Sequence, residues 1–455
     1  MKIVLIGAGF GGLRLARKLN NQKGIEVILI DRFNHHQFQP LFYQVATAGL
    51  NGSDISFPLR KVFHNSKNVR VRLTEFTQLH PQDNSITTSE GNIKYDQLVI
   101  ATGAGTNFFG NTQFEKFTWP MKSTVEAMEV RNHILKNFED ALMETNALQK
   151  QRLLNIIVVG GGPTGVELSG AIAEMKKYVL PKDYPELDFN AMNIFLLEGG
   201  PRTLANMSEK SSRQSRQYLE SLGVVVKTNA LMQGYDGKTV VLADGSSIES
   251  SMVIWAAGIK GNIPTGIDAS LIARGNRIKV TRQCMVQGFE NIFAIGDVAY
   301  MEEPAYPKGH PQVAPVAMQQ ADMLARYFKN LIKNKPDKRI PEFTYFDKGS
   351  MATVGRNLAV VDIPKPRMHI GGFMAWMIWM SLHLMLILGV KNRFFIFCDV
   401  TCMHFSYLLI FTENIQVVIH HLEGNSEVFS ESGNVFSFCG ICPCNQSSNF
   451  KRCSA

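Results

Sequence analysis

Short apolar runs, each ended by glycine or an acidic residue, recur along most of this chain. Met1 to Ile6, Ile25 to Ile30, Leu98 to Ala101, Asn155 to Val159, Asn193 to Leu197, Ile254 to Ala257 and Phe293 to Ile295 show little of the strict alternation of a half-exposed strand. Such runs suit strands buried on both faces. Between them lie stretches with helical patterning: Gly12 to Leu19, Val125 to Leu148 and Gly165 to Val179. Strands alternating with helices predict an α/β fold.

Two of the strands run into glycine clusters that open helices, Gly7-Ala8-Gly9-Phe10-Gly11-Gly12 and Gly160-Gly161-Gly162-Pro163-Thr164-Gly165. Gly7 and Gly160 suit the tight turn, Gly9 and Gly162 let backbone approach a pyrophosphate, and Gly12 and Gly165 let helix pack on strand. The helix N-terminus offers phosphate its unpaired N–H groups and partial positive charge. The strands that follow end in Asp31 and Glu198, carboxylates placed to accept hydrogen bonds from ribose hydroxyls. Glu198 stands farther from its glycines than is usual, and Leu180 to Met192, with Pro181 and Pro185, reads as a loop insertion that explains the delay. A carboxylate there bonds a ribose 2′-hydroxyl and repels a 2′-phosphate, which predicts NADH over NADPH. One glycine cluster is a weak sign. Strand, glycines, helix, strand and acid occur in order twice, so the chain is expected to hold two dinucleotides and pass electrons between them.

Each unit closes on a small-residue turn, at Thr102-Gly103 and at Ala257-Gly258. Trp119-Pro120 marks a crossing between the units, and Gly296-Asp297 ends a further strand. The expected architecture is two Rossmann-like dinucleotide-binding domains, the second inserted in the first. Expected limits are 1–119 and 260–340 for the first domain and 120–259 for the inserted one. A C-terminal membrane-contact region at 341–397 and an atypical, poorly ordered tail at 398–455 complete the chain.

A length of 455 residues suits two or three domains, and the net charge of +8 includes a basic stretch from Arg326 to Arg339. No nucleic-acid motif accompanies this surplus, which favours a membrane over nucleic acid, a solvated helix end being the plainer reading. The first strand starts at the N-terminus with no cleavable leader, which predicts nucleotide sites in the cytoplasm. No cysteine precedes Cys284. Flavin-dependent disulfide reductases relay electrons through a cysteine pair, and the corresponding segment, Gly12 to Asn51, has none, so electrons must leave directly. His35, His36 and His310 lack metal-ligand spacing and read as loop histidines, with no metal site expected.

Phe373 to Val390 carries no formal charge but includes Trp376, Trp379, His383 and several methionines. Trp376, Trp379 and His383 share a helical face, as interfacial anchors do, and an in-plane membrane anchor is the expectation. A buried or dimer-forming helix and a short span are the alternatives. After Arg393 no lysine or arginine occurs until Lys451, and six of the seven cysteines fall between Cys398 and Cys453. Cys439, Cys442 and Cys444 lack a second ligand pair at zinc-site spacing. A changed reading frame near Phe397 would produce such a tail, and an uninterrupted coding sequence there would refute that explanation.

Several stretches resemble the type II, non-proton-pumping NADH dehydrogenases, over roughly Met1 to Phe397. They are Asn34 to Thr47, which is similar to the family's flavin-side loop, Gly161 to Glu167, Ala294 to Asp297, and Ala317-Met318-Gln319-Gln320-Ala321. The resemblance implies FAD in the first domain and NADH in the second, with electrons passing to a membrane quinone. It places Asp31 at the FAD ribose, Gly103 near the flavin, Asp297 at the ribityl or phosphate portion, and Glu198 at the NADH ribose. Glu167 matches a carboxylate near the nicotinamide and quinone, where reduction to a quinol consumes protons; charge complementarity with the helix N-terminus is the bland alternative. The family's quinone-side motif has two glutamines a turn apart. Gln319 matches the second, for a quinone carbonyl or the flavin edge, while Pro315 replaces the first.

The sequence thus predicts a non-electrogenic NADH:quinone oxidoreductase, peripheral on the cytoplasmic face of the membrane through Phe373 to Phe397, and by family expectation a homodimer. The rivals are an NADH-dependent reductase of a soluble redox protein and a non-catalytic, NADH-sensing flavoprotein.

Overall fold

The computed structural model describes residues 1–333, 340–389, 392–393 and 396–397. The expectations for the tail at 398–455 and for Lys335, Lys338 and Arg339 lie outside these residues.

Both glycine units form five-stranded parallel sheets of the same plan. In the first the order is Ile292–Ala294, Gln97–Ile100, Lys2–Ile6, Glu26–Asp31 and Val69–Leu73. In the second it is Trp119–Pro120, Met252–Trp255, Ile156–Val159, Ile194–Glu198 and Val224–Thr228. Central strands such as Ile3-Val4-Leu5 and Ile156-Ile157-Val158 are almost wholly buried, as their unbroken apolar runs require. The strand Ile292–Ala294 joins the first sheet after the second is complete, so the second domain is inserted in the first. The two crossings pair with each other: Ala104–Thr106 runs antiparallel to Ile259–Gly261, with Gly105 opposite Lys260.

Three local expectations are corrected. The helix expected over Val125 to Leu148 is two, Thr124–Met143 and Ala147–Leu154, and Asn146 caps the second by accepting the N–H groups of Leu148 and Gln149. The insertion after Val179 begins with a helical turn, Leu180–Asp183, rather than loop. His35 and His36 lie on the short strand His35–Gln37 rather than in a loop, whereas His310 is a loop residue as expected; His36 and His310 are both buried, with His36 Nδ1 2.9 Å from the Ala8 carbonyl oxygen and His310 Nε2 3.0 Å from Glu303.

A three-stranded antiparallel sheet, Ser350–Gly355, Leu358–Ile363 and Met368–Gly371, leads into the helix Gly372–Leu386. The tryptophan face of this helix points inward, against the expectation for an interfacial anchor: Trp376 and Trp379 are buried with Ala375 and Met380. The opposite face exposes Phe373, Met374, Met377, Leu382, Met385 and Leu386. Both faces are apolar, so the helix satisfies the core with one and offers the other outward. No described helix is long and apolar enough to cross a membrane.

The C-terminal sheet rests on the second glycine-motif helix, Pro163–Tyr178, at Gly170. A Cβ on Gly170 would stand 1.5 Å from the Val354 carbonyl oxygen. Gly170→Ala is therefore expected to destabilise the protein by about 1–3 kcal/mol and lower its melting temperature. Gly234→Ala, whose Cβ would meet nothing within 4 Å, serves as the control, and equal melting temperatures for the two variants would refute the contact.

Candidate active site

The glycine loops combine close packing with open space. A Cβ on Gly12 would stand 1.8 Å from the Gly7 carbonyl oxygen, and one on Gly165 would stand 1.9 Å from that of Gly160. Gly9 and Gly162, each the N-cap of its helix, would project a Cβ into space with no protein atom within 4 Å. That space lies at the two helix N-termini, where N–H groups without intrahelical partners can meet phosphate.

Asp31 and Glu198 stand at matching places and do matching work within the protein. Asp31 Oδ2 accepts the Ala8 N–H at 2.6 Å and Oδ1 accepts that of Phe33 at 2.8 Å. Glu198 Oε2 accepts the Gly161 N–H and Oε1 that of Gly200, both at 2.6 Å. Each carboxylate ties its glycine loop to the end of the neighbouring strand, a task the sequence did not reveal. Each oxygen keeps a lone pair for a further donor. Gly103 and Gly258, both with positive φ, turn the chain into the paired crossings, and Asn262 fastens one of them, its N–H donating to the Gly103 carbonyl at 3.0 Å.

The remaining first-domain residues converge on the helix Ala314–Ile332. Built Cβ atoms on Gly11 and Gly296 would lie 3.3 and 3.0 Å from the Ala317 Cβ, so the first glycine helix and the Gly296-Asp297 turn both meet its first turn. Arg14 grips Asp322 on the same helix with two hydrogen bonds of 2.8 and 2.6 Å. The buried Gln320 accepts the Gly296 N–H at 2.7 Å. Gln319 instead pairs with the backbone of Phe346, donating to its carbonyl at 2.9 Å and accepting its N–H at 3.0 Å, which leaves one amide hydrogen uncommitted. Burial raises the pKa of Asp297, against the opposing pull of Lys122 and Arg277, whose charges face it. Lys122 itself is pushed down by burial. Nothing in the spacing of the Trp119-Pro120 crossing marked this lysine.

Glu167 lies near the start of the helix Pro163–Tyr178, enclosed by protein yet keeping a strip of accessible surface. The backbone N–H of Thr353 and the indole N–H of Trp379 face its carboxyl and favour the ionised form. The buried Tyr43 faces both Glu167 and Glu174, and burial, followed by the Glu167 charge, raises its phenol well above the usual range. Glu174 is raised by burial and accepts the Arg356 backbone N–H. At Glu167 burial outweighs both donors and pushes the carboxyl up to about 8, so it holds its proton at neutral pH. Tyr43 and Trp379 escaped sequence reasoning because they come from separate segments that no local pattern joins to Glu167; Glu174, two turns on along the same helix, had a signal in that spacing.

The infrared spectrum should therefore contain a protonated carboxyl band that titrates near pH 8 and is absent from Glu167→Gln. A band with the usual carboxylate titration near pH 4–5 would overturn this assignment.

Comparison with known proteins agrees with this geometry. Residues 1–321 match the family of pyridine nucleotide-disulphide oxidoreductases, and residues 348–406 match the NDH2 C-terminal domain, running past Phe397. A type II NADH:quinone oxidoreductase of Mycobacterium tuberculosis is 36% identical over 406 residues, covering 86% of this chain and 85% of the relative. Another, from Haemophilus influenzae, is 28% identical, covering 79% of this chain and 86% of its own. The solved structure of NDH2 from Plasmodium falciparum in complex with NADH shares the fold, with a TM-score of 0.82 at 22% identity, over 90% of this chain and 99% of that one. With two matching sheets, a carboxylate closing each glycine loop and relatives aligned along most of its length, this chain belongs to the type II NADH:quinone oxidoreductase family.

Proposed function

We propose that this chain oxidises NADH and reduces a membrane quinone, with Glu167 as the proton donor on the quinone side. The observation that carries the assignment is a carboxyl enclosed beside Tyr43 that keeps a strip of accessible surface, where burial pushes its pKa up to about 8. The residues present fit both nucleotides. The space around Gly9 with Asp31 suits FAD, and that around Gly162 with Glu198 suits NADH. Gly7, Gly12, Gly103 and Asp297 complete the FAD site, and Gly160, Gly165 and Gly258 the NADH site. Bound FAD supplies a two-electron carrier between NADH and quinone.

The chain's own residues bind, orient and protonate. The two helix N-termini hold the pyrophosphates, and Asp31 and Glu198 accept the ribose hydroxyls through their remaining lone pairs. Gln319 offers its uncommitted amide hydrogen to the flavin edge or a quinone carbonyl. Glu167 gives its carboxyl proton to the quinone oxygen as negative charge develops there. The domain limits that fit this division are 1–119 with 260–340, 120–259, and 341–397. The exposed row Phe373, Met374, Met377, Met385 and Leu386 supports membrane contact in the plane of the surface. We assign the protein to the cytoplasmic face, where NADH is available, and a homodimer is the assembly to test by light scattering.

Purified holoenzyme should oxidise NADH when a short-chain ubiquinone or menaquinone is added. Oxidation only after adding a small redox protein would replace this reading with the soluble-acceptor one. Quinone reduction should fall as pH rises past about 8, as the donor loses its proton, and Glu167→Gln should lower it by about a hundredfold and abolish that limb. Glu198→Gln should raise the NADPH-to-NADH ratio of kcat/KM; an unchanged ratio would remove Glu198 from ribose recognition.

A further inference from the structure

Phe109 breaks two rules for a residue of its type. Its backbone is left-handed, with φ of +53°, a conformation that a bulky side chain rarely adopts, and its ring is 68% exposed. The loop that carries it is held firmly to the end of the inserted sheet. The Asn107 carbonyl accepts the Trp255 indole N–H at 2.9 Å, and the Asn107 N–H donates to the Gly258 carbonyl at 3.2 Å. Asn107 Oδ1 accepts the Phe109 N–H at 2.9 Å, and the Phe108 ring lies on Trp255 with centroids 5.9 Å apart. These bonds hold a strained residue in place, and strain held in this way points to function.

The ring sits beside the crevice where the strand order of the inserted sheet reverses. From Ile156–Val159 the chain steps outward to Ile194–Glu198 and Val224–Thr228, then returns to Met252–Trp255 on the other side. Open α/β sheets take their ligands at the carboxyl ends of the strands flanking such a reversal. The two turns that leave these ends touch: a Cβ on Gly160 would stand 2.7 Å from the Ala256 carbonyl. Phe109 lies against the second turn, its Cζ 2.7 Å from where a Gly258 Cβ would stand. Glu198, at the end of the strand on one side of the glycine loop, takes the adenosine ribose, and the helix N-terminus at Gly162 takes the pyrophosphate. The rest of an extended dinucleotide then runs the other way, past Gly258. We propose that the Phe109 ring packs on the nicotinamide riboside half of bound NADH and holds it in this crevice, a role that rests on the reading of Gly162 and Glu198 as the NADH site. The reduced nicotinamide is planar and uncharged, so an aromatic face exposed to water is a fitting partner for it.

The test uses full-length, FAD-loaded Phe109→Gly, which keeps the left-handed turn without strain and removes only the ring. FAD content and melting temperature report whether it folds. Calorimetric titration with NAD+, which does not reduce the flavin, should give a Kd raised about tenfold, the order expected for losing one stacked aromatic contact. The NADH concentration that half-saturates flavin reduction should rise with it. ADP, which lacks the nicotinamide riboside, should bind the variant and the parent protein equally. Phe109→Tyr keeps the ring and should bind NAD+ as the parent does. If Phe109→Gly fails to fold, Phe109→Leu takes its place, with a smaller rise expected for NAD+ and none for ADP. An unchanged Kd for NAD+ in the folded variant, or equal weakening of NAD+ and ADP, would overturn the role of Phe109 and leave the NADH site where it is. Failure of ADP to compete with NADH in the parent protein would overturn the placement of NADH itself, and the role of Phe109 with it.

Discussion

Where the helix Pro163–Tyr178 crosses the strand Ser350–Gly355, no side chain separates the two backbones, because the helix presents Gly170 to the Val354 carbonyl. Much of the site depends on that approach. Glu167 and Glu174 lie three residues before Gly170 and four after it, on the same helical face, so the contact that seats the C-terminal sheet also closes over both carboxyls. Removing a carboxyl from water disfavours its charged form, and two N–H donors do not fully restore the balance at Glu167. A glycine chosen for packing thereby sets the chemistry of an acid one turn away.

The strands, glycine clusters and strand-end acids were legible because each depends on neighbours in sequence. The inserted arrangement was legible too, since the Gly103 and Gly258 turns echo each other and Ile292–Ala294 follows the second unit. The helix break before Ala147 has a local signal in Asn146, a residue type that caps helix N-termini. The orientation of the C-terminal helix was not legible. With Trp376, Trp379 and Met380 on one side and Met377, Leu382 and Met385 on the other, periodicity has no polar face to separate core from surface. Nor could spacing show that Trp379 faces Glu167 or that Gln319 turns to Phe346, because those pairings exist only once separate domains are packed.

Asp31 and Glu198 show how one carboxylate serves two ends. Each holds its glycine loop through one backbone N–H, of Ala8 or Gly161, and is itself fixed by a second from the turn that follows it, of Phe33 or Gly200, so the loop is preorganised for phosphate by the residue expected at the ribose. Substituting either acid therefore changes both the shape of the loop and the contact with the sugar. Conservative amide variants, which keep an acceptor oxygen, separate these effects better than alanine does.

The paired crossings have a mechanical meaning. Two strands bonded side by side, Ala104–Thr106 against Ile259–Gly261, resist stretching along their length and sliding past each other, but bend comparatively easily out of their common plane. A single connecting strand would leave the inserted domain free to twist and drift as well. Such a ribbon, with Asn262 riveting one end, acts as a leaf spring with a single compliant direction. The ribbon thereby fixes the length and register of the link between the two glycine sheets.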